Sequence, residues 1–424
     1  MDNMKDDHTP HSKKITRREM LYRTGAGGLG LLIGASGVGS ITALGKTSSE
    51  KPAAAENQIP FYGKHQAGIM TKQQTYVYLI SMDITTNKLA DIRDLFKEWT
   101  VASEKMAMGN LIGDYSDNLY IPPEDTGEAT GLSASRITFT YGFGSSFFEK
   151  EGSDRFGLAA KKPNQLQALP SFPGDEIEKE WTGGDLCVQV CADDQQVAFH
   201  AIRNLLRIGR GIVTLRWMQS GFLRSQQSGK KDSTPRNLFG FKDGTVNPNT
   251  EEDFNNIVWS NGAEASWMKN GSYMVMRRIR MLLEVWDRTH LKDQQATFGR
   301  EKVSGAPLGQ EKEFDDVKLD KKDSDGKPAI PMDAHVRLGR GDGSQKILRR
   351  SYSYSSEMDP ARAQLDAGLL FLCFQKDPFK QFVPIQKRMA QSDHLNEYIR
   401  HIGSAVFACP GGTKKGGYIG DSLF

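Results

Sequence analysis

The chain has 424 residues, too long for one ordinary domain and suited to two domains plus a leader. It is 38% hydrophobic and 25% charged, the balance of a soluble globular protein that can bury two cores without disulfide staples. The net charge of +3 comes with dispersed basic residues, which excludes the basic stripe of a nucleic-acid binder, and four cysteines without a Cys-x-x-Cys pair signal neither a zinc site nor a redox dithiol. A disulfide between any pair of them is allowed but not demanded.

Residues 1–55 read as a leader rather than as fold. Lys13, Lys14, Arg17 and Arg18 make a basic start, and no charge follows between Arg23 and Lys46. That stretch is long enough to span a bilayer, but its glycines lower both helix propensity and hydrophobicity. With the small residues Ala53, Ala54 and Ala55 it makes a signal peptide, and Thr16-Arg17-Arg18-Glu19-Met20-Leu21 resembles the twin-arginine export signal. The expectation is export to an extracytoplasmic location: secreted, cell-envelope or periplasmic. A permanent N-terminal anchor is the alternative. The twin-arginine route carries proteins folded before crossing, as a cofactor loaded in the cytoplasm requires, and sparse cysteines suit such a history.

From residue 56 to 225 the pattern predicts a first domain. Thr75–Asp83 reads as a strand by β-propensity, and Leu89–Met106 as a helix, with Leu89, Ile92, Leu95, Phe96 and Trp99 at helical spacing. Strands are predicted at Arg136–Gly142 and Asp185–Cys191, a helix at Gln195–Ile208 and a fourth strand at Ile212–Met218. The order β-α-β-β-α-β is the ferredoxin-like unit.

The polar, breaker-rich stretch Ser225–Thr234 reads as the join to a second domain, 226–424. The second domain repeats the order loosely: a strand at Ser272–Arg280, a helix beginning over Leu282–Leu291, an apolar strand at Gly368–Gln375, a helix at Phe379–Met389 and a closing strand at Ser404–Cys409. The fold class is therefore α+β, two ferredoxin-like domains packed together. Gly305–Asp333 is a long, charged, proline-punctuated insertion of the kind that is often functional.

Three segments carry chemistry-bearing residues. In Asn237–Pro248, Gly240 and Gly244 flank Asp243 and imply a tight backbone, although Asp-Gly is also an ordinary turn. His335 lies at the end of the insertion. The other histidines read as leader residues (His8, His11), as part of an irregular segment (His65), or as surface and capping residues (His200, His290, His394, His401). In Lys346–Tyr354 an apolar pair runs into Arg349 and Arg350, and paired arginines face water or bind an anion.

Taken together these segments resemble the dye-decolourising peroxidase family, closest to its exported branch of deferrochelatase/peroxidase proteins found with ferrous-iron uptake systems. The family's Gly-x-x-Asp-Gly stands here as Gly240-Phe241-Lys242-Asp243-Gly244, continuing Thr245-Val246-Asn247-Pro248. The proximal-histidine segment matches as Asp333-Ala334-His335, and the distal arginine as the first of Arg349-Arg350, with Arg350 the alternative. Similar stretches run through Ile59–Gly68, Trp286–Thr289, Phe298–Arg300, Gly368–Phe371 and Pro410–Gly412. Gly339–Ser344 departs from the branch's pattern by being shorter and richer in glycine.

The resemblance implies one haem b per chain, held in the C-terminal domain by His335 as the metal ligand. Contacts to the haem are implied at Gly244, Thr245, Val246, Arg340, Gly341, Asp342 and Arg349. Asp243 is implied as the acid/base group on hydrogen peroxide, Arg349 as the group stabilising charge, and Asn247 as a hydrogen-bonding neighbour. Tyr352, Tyr354 and Trp267 read first as packing residues, with surface electron relays as the alternative. The implied function is a haem-dependent peroxidase that oxidises dyes, phenols or ferrous iron one electron at a time. Rival readings are a deferrochelatase releasing iron from haem and an exported haem carrier without turnover. The implied partners are peroxide, a small-molecule or ferrous-iron donor and an iron-uptake permease system, with a homo-oligomer as a further expectation and no nucleic acid.

Overall fold

The computed structural model describes residues 57–114, 118–225, 228, 233–360 and 362–424, so the leader with its export signal and most of the join lie outside the described residues. Strand β1 (Tyr76–Ile84) is buried along nearly its whole length, and helix α1 (Leu89–Ala107) packs Ile92, Leu95, Phe96 and Trp99 against the sheet, the stripe its sequence spacing sets out. Strands β2 (Thr138–Gly144) and β3 (Leu186–Ala192) follow. Helix α2 (Gln195–Ile208) starts where the Asp194 side chain accepts the Val197 N–H, a one-residue N-cap, and β4 (Val213–Phe222) closes the first half. These four strands are antiparallel in the order β4-β1-β3-β2.

The second half contains β5 (Ser272–Met281), α3 (Leu291–Phe298), α4 (His335–Arg340), β6 (Leu348–Arg349), β7 (Tyr352–Asp359), β8 (Gln364–Gln375), α5 (Phe382–Ser392) and β9 (Ile399–Cys409). Its order β7-β8-β5-β9 repeats the first half, with β6 added on β8. Three features depart from expectation. The helix expected over Leu282–Leu291 is one turn, Leu283–Trp286, because the chain leaves helical geometry by His290 (φ −60°, ψ 146°) before α3 begins. Strand β7 was hidden in serine-rich sequence; its Tyr352, Ser353 and Tyr354 are buried. His335 opens a short helix rather than sitting in a loop.

The two halves do not pack as separate sheets. Strand β2 pairs with β9 (Phe143↔Ala408, Gly144↔Phe407), β4 pairs with β7 (Phe222↔Ser353), and eight strands close into a barrel. Closure satisfies four strand edges that two isolated units would leave open. Val77, Leu79, Cys187, Cys191, Met274, Met276, Leu370, Leu372 and Phe407 form one core on one face of the strands. Tyr78, Ile80, Val188 and Val190, on the other face, join the core under α1 and α2. With both faces covered, strands such as β3 and β5 are near-continuous buried runs. All four cysteines are buried and free.

The insertion is irregular but fastened. Val317, Ile330 and Ala334 make a small core of their own, and Arg337 of α4 donates to the carbonyls of Leu319 (2.6 Å) and Ile330 (2.8 Å). The insertion thus leads directly into the turn that carries His335.

Candidate active site

Helix α4 starts after Ala334, which is fully buried and extended (φ −68°, ψ 136°), so His335 leaves the first helical turn in a fixed direction. Its Nδ1 donates to the Asp393 carboxylate at 2.7 Å. The other oxygen of Asp393 accepts the Leu395 N–H at 2.9 Å, so this buried carboxylate is held at both ends just beyond α5. Burial pushes the His335 pKa down, but the charge and hydrogen bond of Asp393 outweigh it and the net direction is up. With Asp393 accepting, the proton of the neutral ring sits on Nδ1, which leaves the Nε2 lone pair for a ligand. The ring of Phe298 meets His335 edge-on with centroids 5.8 Å apart.

Asp243 is presented by a loop whose turn and anchors are both written in its sequence. The Asn237 side chain accepts the N–H groups of Phe239 (3.1 Å) and Phe241 (3.2 Å), and Gly240 supplies the left-handed residue (φ +84°) the turn needs. Phe239 and Phe241 are buried with Trp286 and Phe298, Phe241 stacking on Phe298 at 4.1 Å. The N–H of Asp243 then bonds the Pro235 carbonyl at 2.9 Å.

Arg349 comes from β6 and reaches Asp243, Nη1 to Oδ1, at 3.1 Å. Asn247 clamps the arginine's main chain in both directions, Nδ2 to the Arg349 carbonyl at 2.8 Å and Oδ1 from its N–H at 3.0 Å. The amide of Asn247 is thereby committed to positioning Arg349. Arg350 is buried elsewhere, donating to the Thr71 carbonyl and, at 3.3 Å, to Gln74. Successive side chains on an extended segment leave on opposite faces, which is why neighbouring arginines part company here.

Asp243 and Arg349 both lie within electrostatic reach of His335. His335 is surrounded by the chain, yet 30% of its side chain faces open space, as do 26% of Asp243 and 29% of Arg349. Asp243, Gly244 and Arg349 line one hollow together with Pro235, Asn237 and Leu369. Among the described residues no three His, Cys, Asp or Glu side chains cluster as a metal site. A metal on His335 therefore needs its remaining ligands from a non-protein group, and a macrocycle meets that need. Two further arginines suit the carboxylates such a group carries. Arg300 is buried, and its pKa is lowered by that burial and then by the nearby Arg349 charge. Arg388 of α5 donates to the carbonyl of Leu338 and to Gln345 but leaves Nη2 buried without a hydrogen-bond partner, and it lies against Gly341. The residues present fit a haem.

The remaining predicted residues are scattered around this frame. Gly244 is left-handed (φ +110°), Thr245 bonds Glu313, and Val246 is 70% exposed. Arg340 and Asp342 are exposed, and Asp342 accepts from the backbone and hydroxyl of Ser344. Tyr352, Tyr354 and Trp267 are buried core residues, in line with the packing reading and not with surface relays. His200 and His401 are buried too, His200 on Asp125 at 2.8 Å, where surface positions were expected. Sequence reasoning missed Asp393, Arg300, Arg388 and Glu313. Only Arg300 had a signal, in the Phe298–Arg300 stretch; the others approach from distant segments.

Family models for the Dyp-type peroxidase match residues 66–223 (N-terminal) and 234–414 (C-terminal). The chain is 38% identical over 383 residues to a deferrochelatase of Escherichia coli strain K12, covering 88% of each. Among solved structures it is similar to ferric DtpA from Streptomyces lividans (38% identity, TM-score 0.80, covering 88% of this chain and 99% of that one). It is likewise similar to a DyP-type peroxidase from Streptomyces coelicolor (38% identity, TM-score 0.81, with 88% and 99% covered).

Proposed function

The chain belongs to the Dyp-type peroxidase family, and from that membership we propose how its own residues divide the work of a haem peroxidase. The protein is a peroxidase that binds haem and takes hydrogen peroxide and an electron donor as substrates. His335 would hold the haem through Nε2, and the group so held would supply the redox chemistry of a peroxidase.

Around it the side chains act on protons and charge. Asp243 would take a proton from one peroxide oxygen and deliver it to the other, which leaves as water. Arg349, 3.1 Å from that carboxylate, steadies the negative charge that develops as the oxygen–oxygen bond breaks. Asn247 fixes the main chain from which Arg349 reaches, and Asp393 holds the His335 ring and raises its basicity.

The observation that carries this reading is the Asp243–Arg349 pair, 3.1 Å apart and within electrostatic reach of a His335 ring whose Nδ1 is held by Asp393. A carrier has no use for an acid/base carboxylate paired with a guanidinium. The test is the rate at which the haem absorption band changes on mixing with peroxide. Asp243→Asn should slow it by roughly 100-fold or more at equal haem content; an unchanged rate would remove Asp243 from the mechanism.

A second reading, release of iron from haem, is favoured by the name of the Escherichia coli relative. It predicts metal-free porphyrin, seen by fluorescence, when the holoprotein is incubated without peroxide. Haem that stays intact under those conditions leaves the peroxidase reading alone.

A further inference from the structure

The loop carrying Asp243 is anchored at Phe241 on one side and at Asn247 on the other. Between them lies Gly244, at φ +110° and with no neighbour within 4 Å of where a Cβ would stand, so side-chain packing at this position does not fix the backbone beside the acid/base residue. One side chain from the insertion spans this stretch. Glu313, 10% exposed, pairs through one oxygen with Lys242, just before Asp243, and through the other with the Thr245 hydroxyl at 3.1 Å, just after Gly244. Thr234 adds a hydrogen bond to the same carboxylate. The Glu313 carbonyl in turn accepts from Arg300 at 3.1 Å, whose guanidinium also holds the Gly305 carbonyl at 2.6 Å. Gly305 is set so tightly on Lys242 that an added Cβ would lie 2.6 Å from its side chain. The two segments are interlocked, with Glu313 as the cross-piece.

We infer that Glu313 is a positioning residue for Asp243, a half-buried carboxylate by which the 305–333 insertion staples Lys242 to Thr245 and holds the intervening carboxylate against Arg349. The inference rests on the peroxidase reading of the Asp243–Arg349 pair. Burial pushes the pKa of Glu313 up, but its bonds from Lys242, Thr234 and Thr245 bring it down, so it works as an anion. Removing it frees Asp243 to drift, and a displacement of about 1 Å at a reacting group costs up to ~100-fold in rate.

The experiment compares Glu313→Ala, Asp243→Asn and the double variant as haem-loaded proteins, with Glu311→Gln on the same insertion as control. Glu313→Ala should react with peroxide roughly 10- to 100-fold more slowly, with unchanged haem content and donor KM, and with faster amide hydrogen exchange confined to residues 242–246. In the Asp243→Asn background it should cost nothing further, because the group it positions is gone. Equal losses in both backgrounds, or exchange at 242–246 no faster than in the control, would overturn the inference. If Asp243→Asn itself matches wild type, the acid/base role of Asp243 fails, and amide exchange still decides whether Glu313 fastens the loop. Should the alanine variant not fold, Glu313→Gln keeps the size, loses the charge and is read the same way.

Discussion

Asp393 decides how well His335 can serve as a ligand. A ring held by one 2.7 Å bond to a buried carboxylate has a fixed orientation and a basic free nitrogen. Asp393→Asn keeps the bond to Leu395 but removes the charge, so haem should leave roughly 10- to 100-fold faster, measured by transfer to excess apomyoglobin. An unchanged transfer rate would mean that Asp393 serves only to start the turn at Leu395. A buried histidine without a carboxylate partner shifts the other way. His401 in β9 has its pKa lowered to about 3, first by loss of solvent and then by the Arg277 charge. The unfolded chain takes up this proton near pH 6.5 and the folded chain only near pH 3, so protons favour unfolding between those values. Stability contributed by His401 is complete above about pH 6.5 and is lost as pH falls, at up to about 1.4 kcal/mol per pH unit. Denaturant midpoints at pH 7 and pH 4.5 should lie closer together in His401→Gln than in wild type; equal spacing would show that other groups set the acid limb.

At the scale of elements, the seam between β5 and β8 brings two backbones together where a side chain would not fit. At Gly368 an added Cβ would lie 1.9 Å from the Ile279 carbonyl oxygen, a main-chain atom that cannot rotate away. Gly368→Ala should therefore lower the thermal midpoint, at a cost of about 1–3 kcal/mol from strands pushed apart. A midpoint equal to wild type would show that the barrel flexes there freely. Elements with strong periodicity were legible beforehand: α1 and α2 because one stripe faces the sheet, β1 and β3 because both faces are buried. Strand β7 was not legible, because its serines carry no apolar pattern and its place is set by pairing with β8 and β4. The Leu282–Leu291 run looked helical by residue type, but the chain turns after Trp286 to bring α3 and Phe298 beneath the Asp243 loop.

For the whole molecule, closure of the barrel makes the two halves interdependent, and the described chain forms one compact unit. A first half alone would expose Val77, Leu79, Cys187, Cys191 and Trp217, which are buried in the core shared with the second half, together with the open edges of β2 and β4. Residues 57–225 and 233–424 expressed separately should each aggregate, and co-expression should restore soluble, haem-binding protein. A soluble first half that unfolds cooperatively by itself would contradict this.

The sequence by itself determined the ferredoxin-like order of elements and the loop that presents Asp243, because these depend on short-range periodicity and on glycine at turns, while resemblance of contiguous motifs pointed to His335 and to the pair Arg349 and Arg350 without choosing between the two arginines. The export reading also rests wholly on sequence, in residues 1–55. Tertiary structure decided what depends on segments far apart: closure of the barrel, the partner of His335, the separation of Arg349 from Arg350, and the hold of Glu313 on the Asp243 loop. Asp393 lies 58 residues from His335, and the Asp243–Arg349 pair joins residues 106 apart. The strength of such contacts depends on burial and distance, which are properties of the folded chain and leave no local mark in its sequence.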